Sequence, residues 1–503
     1  MKRYQILLFF LALFAGLFLL WRYFPSEGVR VGGQVLRFPS YEAALQERED
    51  SSKFDVDALL ASVQEGWQIP SGSRDTLDYY AGFLRDNPAR VYLPDGDYTF
   101  FDSLFVEMES AVDSGRTVRV LHYGDSQLEM DRISAVLREE LQERFGGSGP
   151  GMVPVIQRVP TVSLSQTWSG GMTRFAIVGD SLTRRAAHHR YGPLTQFVSV
   201  YGHAVFSFRA TKNRYAQERA RKISKVSVLL SRNSPKFSLT LRCDTLPPQR
   251  VVLDTTRTDL MLVSWPLPHD VDRGTVSFDG SAEVYGIQLD AASGGVTVDN
   301  VALRGCAGNI FTTIAPQVME EGLARSDVRL ILLQFGGNAM PSIASDKGVS
   351  LFVKKIVAQF DYFRTVAPDA KLLFVGPADM CKSVNGKLVS WPRLRMLNDS
   401  LRVHCLENGV AFWDTFGMMG GEGSMFHWVH HNPPLAGPDH IHFTHRGAAE
   451  VGSALARSLL TYYDFFRLRR DLPEAAVQEY MDSALNAEIP QPQLDTITIE
   501  GLE

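Results

Sequence analysis

Cysteine is scarce in this chain. Cys243, Cys306, Cys381 and Cys405 are the only four among 503 residues, too few and too scattered for a disulfide scaffold to stand in for a hydrophobic core. Their pairing is undecidable from sequence. Charge of one sign is equally lacking: 51 Lys and Arg against 56 Asp and Glu leave a formal net charge of -5. With no long basic stripe interleaved with aromatics, nucleic acid is set aside as a partner. Disorder is excluded as a general character, since 45% of residues are apolar and 21% charged. That is ordinary globular material with room for two or three domains.

The N-terminus is the exception to this even texture. Lys2 and Arg3 precede an uncharged stretch rich in Leu and Phe from Tyr4 to Trp21, which Arg22 closes. At the helical rise this stretch spans ~27 Å, close to the hydrocarbon thickness of a bilayer. A cleaved signal peptide competes with an uncleaved signal-anchor, but no small-x-small site follows the apolar core and no cysteine there could carry lipid. A signal-anchor over 1–26 is therefore expected. The positive flank stays in the cytoplasm, which puts the rest of the chain in the periplasm if the source is a bacterium.

Residues 27–97 are weakly periodic and broken by Pro, Gly, Asp and Ser, and read as a stalk or lead-in. Leu104, Phe105, Met108 and Val112 then share a helix face, and Val118 to Leu121 reads as a strand. A helical pattern through Ile133, Val136, Leu137 and Leu141 stops at Gly146-Gly147. From 161 to 300 the texture changes to short alternating runs: Val226/Val228/Leu230, Phe237/Leu239/Leu241, Val276/Phe278, Ile287/Leu289 and Val296/Val298. This period of two predicts antiparallel strands, enough for one β-sandwich. Beyond Gly305, continuous apolar strands at 328–335, 372–375 and 410–413 alternate with helices near 351–366, 394–407 and 447–466. That pattern predicts a parallel sheet covered on both faces. The β-rich block thus interrupts an α/β domain made of 98–160 and 301–466, and a charged tail at 467–503 completes the chain.

Three short segments carry chemistry. His122-Tyr123-Gly124-Asp125-Ser126 puts Ser126 on a tight strand-to-helix turn; Gly336-Gly337-Asn338 ends another apolar run; Asp439-His440-Ile441-His442 precedes the last strong helix. A serine hydroxyl is a poor nucleophile until a base takes its proton, and the base needs a carboxylate to fix its tautomer. His442 and Asp439 can fill those roles. An oxyanion needs preorganised donors, for which the Ser126 and Gly305 amides and the Asn338 side chain are candidates. Ser126, Asn338 and Asp379 all follow predicted strands, so an open sheet would gather them beyond its carboxyl edge.

These blocks resemble the SGNH hydrolases, also called the GDSL esterase/lipase family. The resemblance covers roughly 100–160 and 300–465. It implies a flavodoxin-like three-layer α/β/α fold, Ser126 as nucleophile, Asn338 as oxyanion donor, and Asp439 with His442 as the remaining pair. For the second-block glycine, Arg304-Gly305-Cys306-Ala307-Gly308 offers Gly305 or Gly308, with Gly305 favoured. Two departures stand out: Gln127 follows the serine where Leu is usual, and Ala339 follows Asn338 where an acidic residue is commoner. The longer phrases are similar to envelope peptidoglycan O-acetylesterases, which carry a carbohydrate-binding-module-like β-sandwich at the position of 161–300. The resemblance implies an esterase that removes O-acetyl groups from envelope glycan and needs no cofactor or metal. Trp168, Tyr191 and Tyr201 could touch that glycan or serve as packing.

Alternatives remain open at this point. Asp439, His440 and His442 could ligate zinc, although no other compact His/Cys/Asp cluster completes a site. The chain could bind glycan without turnover. It could also be a polysaccharide O-acetyltransferase, passing the acyl group to sugar with the same triad.

Overall fold

Five strands form one parallel sheet in the computed structural model, which describes residues 3–24, 29–31, 34–36, 54–65, 73–244 and 246–485. In chain order they are Thr117–Gly124, Gly295–Ala302, Val328–Gln334, Lys371–Val375 and Ala411–Trp413. In space the second lies outside the first, and the third, fourth and fifth follow on its other side. This 2-1-3-4-5 order is flavodoxin-like, and it places a topological switch point between the first and third strands. Val91–Tyr92 adds a sixth, antiparallel strand on the far edge.

Each face of the sheet is buried. Val118, Val120, Leu330 and Leu332 look toward the helices Ser134–Phe145 and His445–Arg470, while Leu121, Tyr123, Ile331 and Leu333 look toward Pro316–Arg325, Asp346–Val366 and Leu394–Glu407. Strands apolar on both faces read as continuous runs, which is why their sequence signal is clear.

The segment 151–290 supplies an eight-stranded antiparallel block folded over its own core of Phe206, Phe208, Val228, Phe237, Leu239 and Phe278. One long strand, Arg273–Asp290, replaces the two short ones expected. Its first part pairs with Gln196–Ala210 and Phe237–Arg242, its last part with Ile223–Ser231 and Gly151–Val153. The expected boundaries shift accordingly. Gly151–Val153, assigned above to the α/β domain, pairs in this block. Gly295–Ala302, assigned to the block, is a strand of the parallel sheet. Its alternation misleads because Thr297 and Asp299 are buried, Asp299 against Arg119 at 2.9 Å. Arg119 also pairs with Asp290, all three groups being buried, so one guanidinium ties the block to the sheet.

Two outer regions also depart from expectation. The lead-in supplies the helix Ser73–Asp86 and the edge strand, and the tail supplies the helix Glu474–Leu485. Tyr80, Ala81, Phe465, Val477 and Met481 join them in a small core. The expected weak stretch Ile489 to Ile499 lies outside the described residues.

A helix runs Arg3–Tyr23, with Phe9, Phe14 and Phe18 exposed. Among the described residues no helix is long and apolar enough to cross a membrane. The four cysteines are buried free thiols. Tyr191 is buried, accepting from the Ala186 amide at 2.9 Å, whereas Trp168 and Tyr201 are exposed.

Candidate active site

The strand Thr117–Gly124 ends where its backbone must turn sharply. A Cβ at Gly124 would meet the Leu128 side chain at 2.6 Å and the Gln334 carbonyl at 3.1 Å, so a larger residue would force the turn to shift. Asp125 caps the next turn, Ser126–Asp131, by accepting from the Gln127 amide at 2.9 Å. Met130 and Asp131 both have positive φ, and the buried pair Asp131–Arg138 at 2.9 Å holds the turn in that costly conformation. Ser126 thereby projects beyond the carboxyl edge of the sheet.

The loop 437–443 brings in His442. His440 adopts a left-handed φ of 56°, and Asp439 Oδ1 accepts from the Ile441 and His442 amides, each at 3.0 Å. These bonds and the His442 ring hold the Asp439 carboxyl below its ordinary range, although partial burial opposes them. Asp439 Oδ2 lies 2.7 Å from His442 Nδ1, and His442 Nε2 lies 2.8 Å from Ser126 Oγ. With Nδ1 protonated toward the carboxylate, Nε2 is the acceptor facing the hydroxyl.

Two side chains that sequence reasoning missed clamp this loop to the serine turn. Gln127 Nε2 donates to the Ile441 carbonyl at 2.6 Å, and the Phe443 amide donates to Gln127 Oε1 at 3.3 Å. Arg132 donates to the carbonyls of both Ser126 and Phe443. The departure at Gln127 was the available signal, a polar residue where the resemblance expects Leu.

Asn338 arrives from the third strand, on the turn Gly337–Ser342. Its Nδ2 donates to Asp125 Oδ2 at 2.8 Å, which fixes the amide's orientation and leaves the second Nδ2 hydrogen available. Burial pushes the Asp125 carboxyl up to about 6, against the lowering effect of its two donors. Asp379 comes to the same edge, but its Oδ2 accepts from the Met425 amide at 2.9 Å, a supporting role. Gly305 does not join them. It is exposed in a positive-φ turn closed by the Cys306 amide on the Leu303 carbonyl, and it does not line the cavity beside Ser126. Gly308 does not line it either, and its amide donates to Cys306 Sγ at 3.3 Å.

Ser126, His442 and Asn338 share a cavity of about 180 Å³ walled by Phe335, Pro341, Met380 and Trp391. The Lys382 ammonium lies 4.6 Å from the Trp391 ring centre and braces it. The space is below the usual range for drug-sized ligands, and mostly apolar. His440 faces elsewhere, its ring stacked on Phe426, and among the described residues no group of three or more His, Cys, Asp and Glu could hold a metal ion.

Residues 271–450 match the GDSL-like Lipase/Acylhydrolase family. Residues 271–450 thus carry a GDSL-like acylhydrolase domain, of the kind that cleaves carboxylic esters. Asn338, Asp439 and His442 lie inside the matched span, and Ser126 lies outside it, on the far side of the inserted block. Among solved structures, a peptidoglycan O-acetylesterase is 19% identical over 72% of this chain and 95% of its own, with a TM-score of 0.58. A family two carbohydrate esterase from Cellvibrio japonicus is 11% identical over 60% of this chain and 99% of its own, with a TM-score of 0.24. The first supports a shared fold; the second superposes too loosely to argue from. No curated protein matches the sequence.

Proposed function

We propose that this hydrolase removes O-acetyl groups from a cell-envelope glycan such as peptidoglycan, with Ser126, His442 and Asp439 as catalytic residues. The observation that carries the proposal is the relay from Asp439 to His442 to Ser126, opening on a small apolar cavity that Asn338 shares. Ser126 Oγ attacks the acetyl carbonyl carbon while His442 Nε2 takes its proton. The Asn338 amide and the Ser126 backbone NH donate to the oxyanion. Collapse breaks the ester bond, and His442 returns the proton to the departing sugar hydroxyl. Water then attacks the acetyl-serine by the same route, releasing acetate. The cavity accommodates a small acyl group, while its mouth, beside the half-exposed His442, leaves the sugar outside.

On sequence grounds, the uncharged stretch from Tyr4 to Trp21 between Arg3 and Arg22 supports a signal-anchor that keeps the enzyme on the periplasmic face of a bacterial inner membrane. The exposed Trp168 and Tyr201 on the inserted β block support a glycan-holding role for it.

The test is acetate release from O-acetylated peptidoglycan by the full chain and by Ser126→Ala. Wild-type release with a loss on the order of 10⁴-fold in the variant supports the proposal. Unchanged release by a folded variant removes Ser126 from the mechanism. Label passing from an acetyl donor to sugar, with native acetyl groups untouched, replaces esterase by transferase.

A further inference from the structure

A second cavity, of about 410 Å³, lies between the inserted β block and the hydrolase domain. Glu129 lines it from the Ser126–Asp131 turn and Arg304 from the loop after Gly295–Ala302, so one wall is continuous with the serine turn. Arg158, Arg174, Asp180 and Gln196 line it from the inserted side.

The charges in this cleft do not balance. Glu129 pairs with Arg304, and Asp180 pairs with Arg158 at 3.2 Å. Both carboxylates are thus engaged, which leaves Arg174. Its Nε donates to the neutral amide oxygen of Gln196, and it makes no ion pair among the described residues. Burial, and then Arg158 and Arg185 nearby, lower the Arg174 pKa to about 10, against a smaller raising effect of Asp180, which is itself paired with Arg158. A guanidinium half removed from water beside other cations is unfavourable for stability alone. Its planar fork suits a carboxylate, which would supply the missing charge and two parallel hydrogen bonds.

We infer that this interdomain cleft is a subsite for the anionic part of the substrate, in which Arg174 binds a carboxylate attached to the glycan while the acetyl group occupies the cavity beside Ser126. The inference rests on the esterase proposal and deepens it, selecting carboxylate-bearing glycans over neutral ones. Arg174 is a specificity residue here, remote from the reacting bonds.

Three probes separate the possibilities: p-nitrophenyl acetate, a neutral O-acetylated N-acetylglucosamine oligomer, and an O-acetylated muramyl-peptide oligosaccharide with free carboxylates. Wild type should prefer the third over the second in kcat/KM, and added salt should shrink the preference. Arg174→Gln should lose about tenfold or more on the anionic probe, mainly through KM, and keep its rate on the other two. Arg174→Lys should recover part of the loss, since it keeps the charge without the fork, and it serves as the second variant if the Gln protein does not fold. Equal loss on all three probes, or equal kcat/KM for neutral and anionic glycans in wild type, overturns the subsite. Binding of the anionic oligosaccharide to Ser126→Ala, with and without Arg174→Gln, is measured by calorimetry. If no probe is hydrolysed by wild type the esterase proposal fails, and this binding comparison still decides the subsite: a tenfold weaker Kd supports it, an unchanged Kd overturns it.

Discussion

Gln127 donates from its side-chain amide to the backbone carbonyl of Ile441 at 2.6 Å, joining the serine turn to the loop that carries His442 across 314 residues of chain. The Phe443 amide returns a bond to the same side chain, so His442 is held on both sides. The clamp brackets the residue whose ring approaches Ser126 at 2.8 Å. Gln127→Leu should lower kcat by about 10- to 100-fold with little change in KM, because a small misplacement of the base is expensive in rate. Steady-state kinetics on p-nitrophenyl acetate, with circular dichroism to check folding, measure it. An unaltered kcat makes the clamp dispensable.

Asn338→Ala should lower kcat by about 10² to 10³ with less effect on KM, as expected when a donor is used mainly in the transition state. The contrary result is a lower melting temperature with normal kcat. That would make the residue only a structural partner of Asp125.

Asp125 itself gives a pH-dependent test. Its folded pKa of about 6 lies above the ordinary 3.8, so the folded state binds this proton more tightly than the unfolded chain does. The associated stability is full below the unfolded pKa and is lost as pH rises through about 6. Asp125→Asn removes the buried charge. Its melting temperature relative to wild type should therefore rise between pH 4 and pH 8, roughly tracking that titration. Its kcat should fall on the order of tenfold, because the Asn338 amide loses its orienting carboxylate. Scanning calorimetry across the pH range is the measurement, and a melting-temperature difference independent of pH contradicts the assigned titration.

Arg119→Ala leaves Asp290 and Asp299 buried without the guanidinium that pairs with both. Breaking a buried pair on one side typically costs about 3 to 5 kcal/mol. Urea denaturation should show a loss of that size. A change near zero would mean that the arginine adds nothing to the seam between block and sheet.

Much of this molecule could be read from its sequence. Strands such as Val328–Gln334 and Lys371–Val375 are apolar on both faces, and helices such as Leu394–Glu407 repeat at their own period, so local pattern was enough to find them. The turn after Gly124 and the short Asp439-to-His442 spacing likewise pointed to Ser126, His442 and Asp439. Tertiary structure decided what local pattern misrepresents. Gly295–Ala302 resembled a half-exposed strand because Asp299 is polar, yet a buried arginine from a neighbouring strand lets it lie inside the sheet. The roles of Gln127 and Arg132 were hidden because their partners are backbone atoms hundreds of residues away, and backbone carries no sequence signature. The oxyanion side followed the same division: the Gly-Gly-Asn segment pointed to Asn338, but only the folded chain turned Gly305 outward and placed Asp125 under the amide. Residue type and spacing determine which groups can do chemistry, whereas long-range pairing determines where they point, since burial and hydrogen-bond satisfaction are settled by the whole fold.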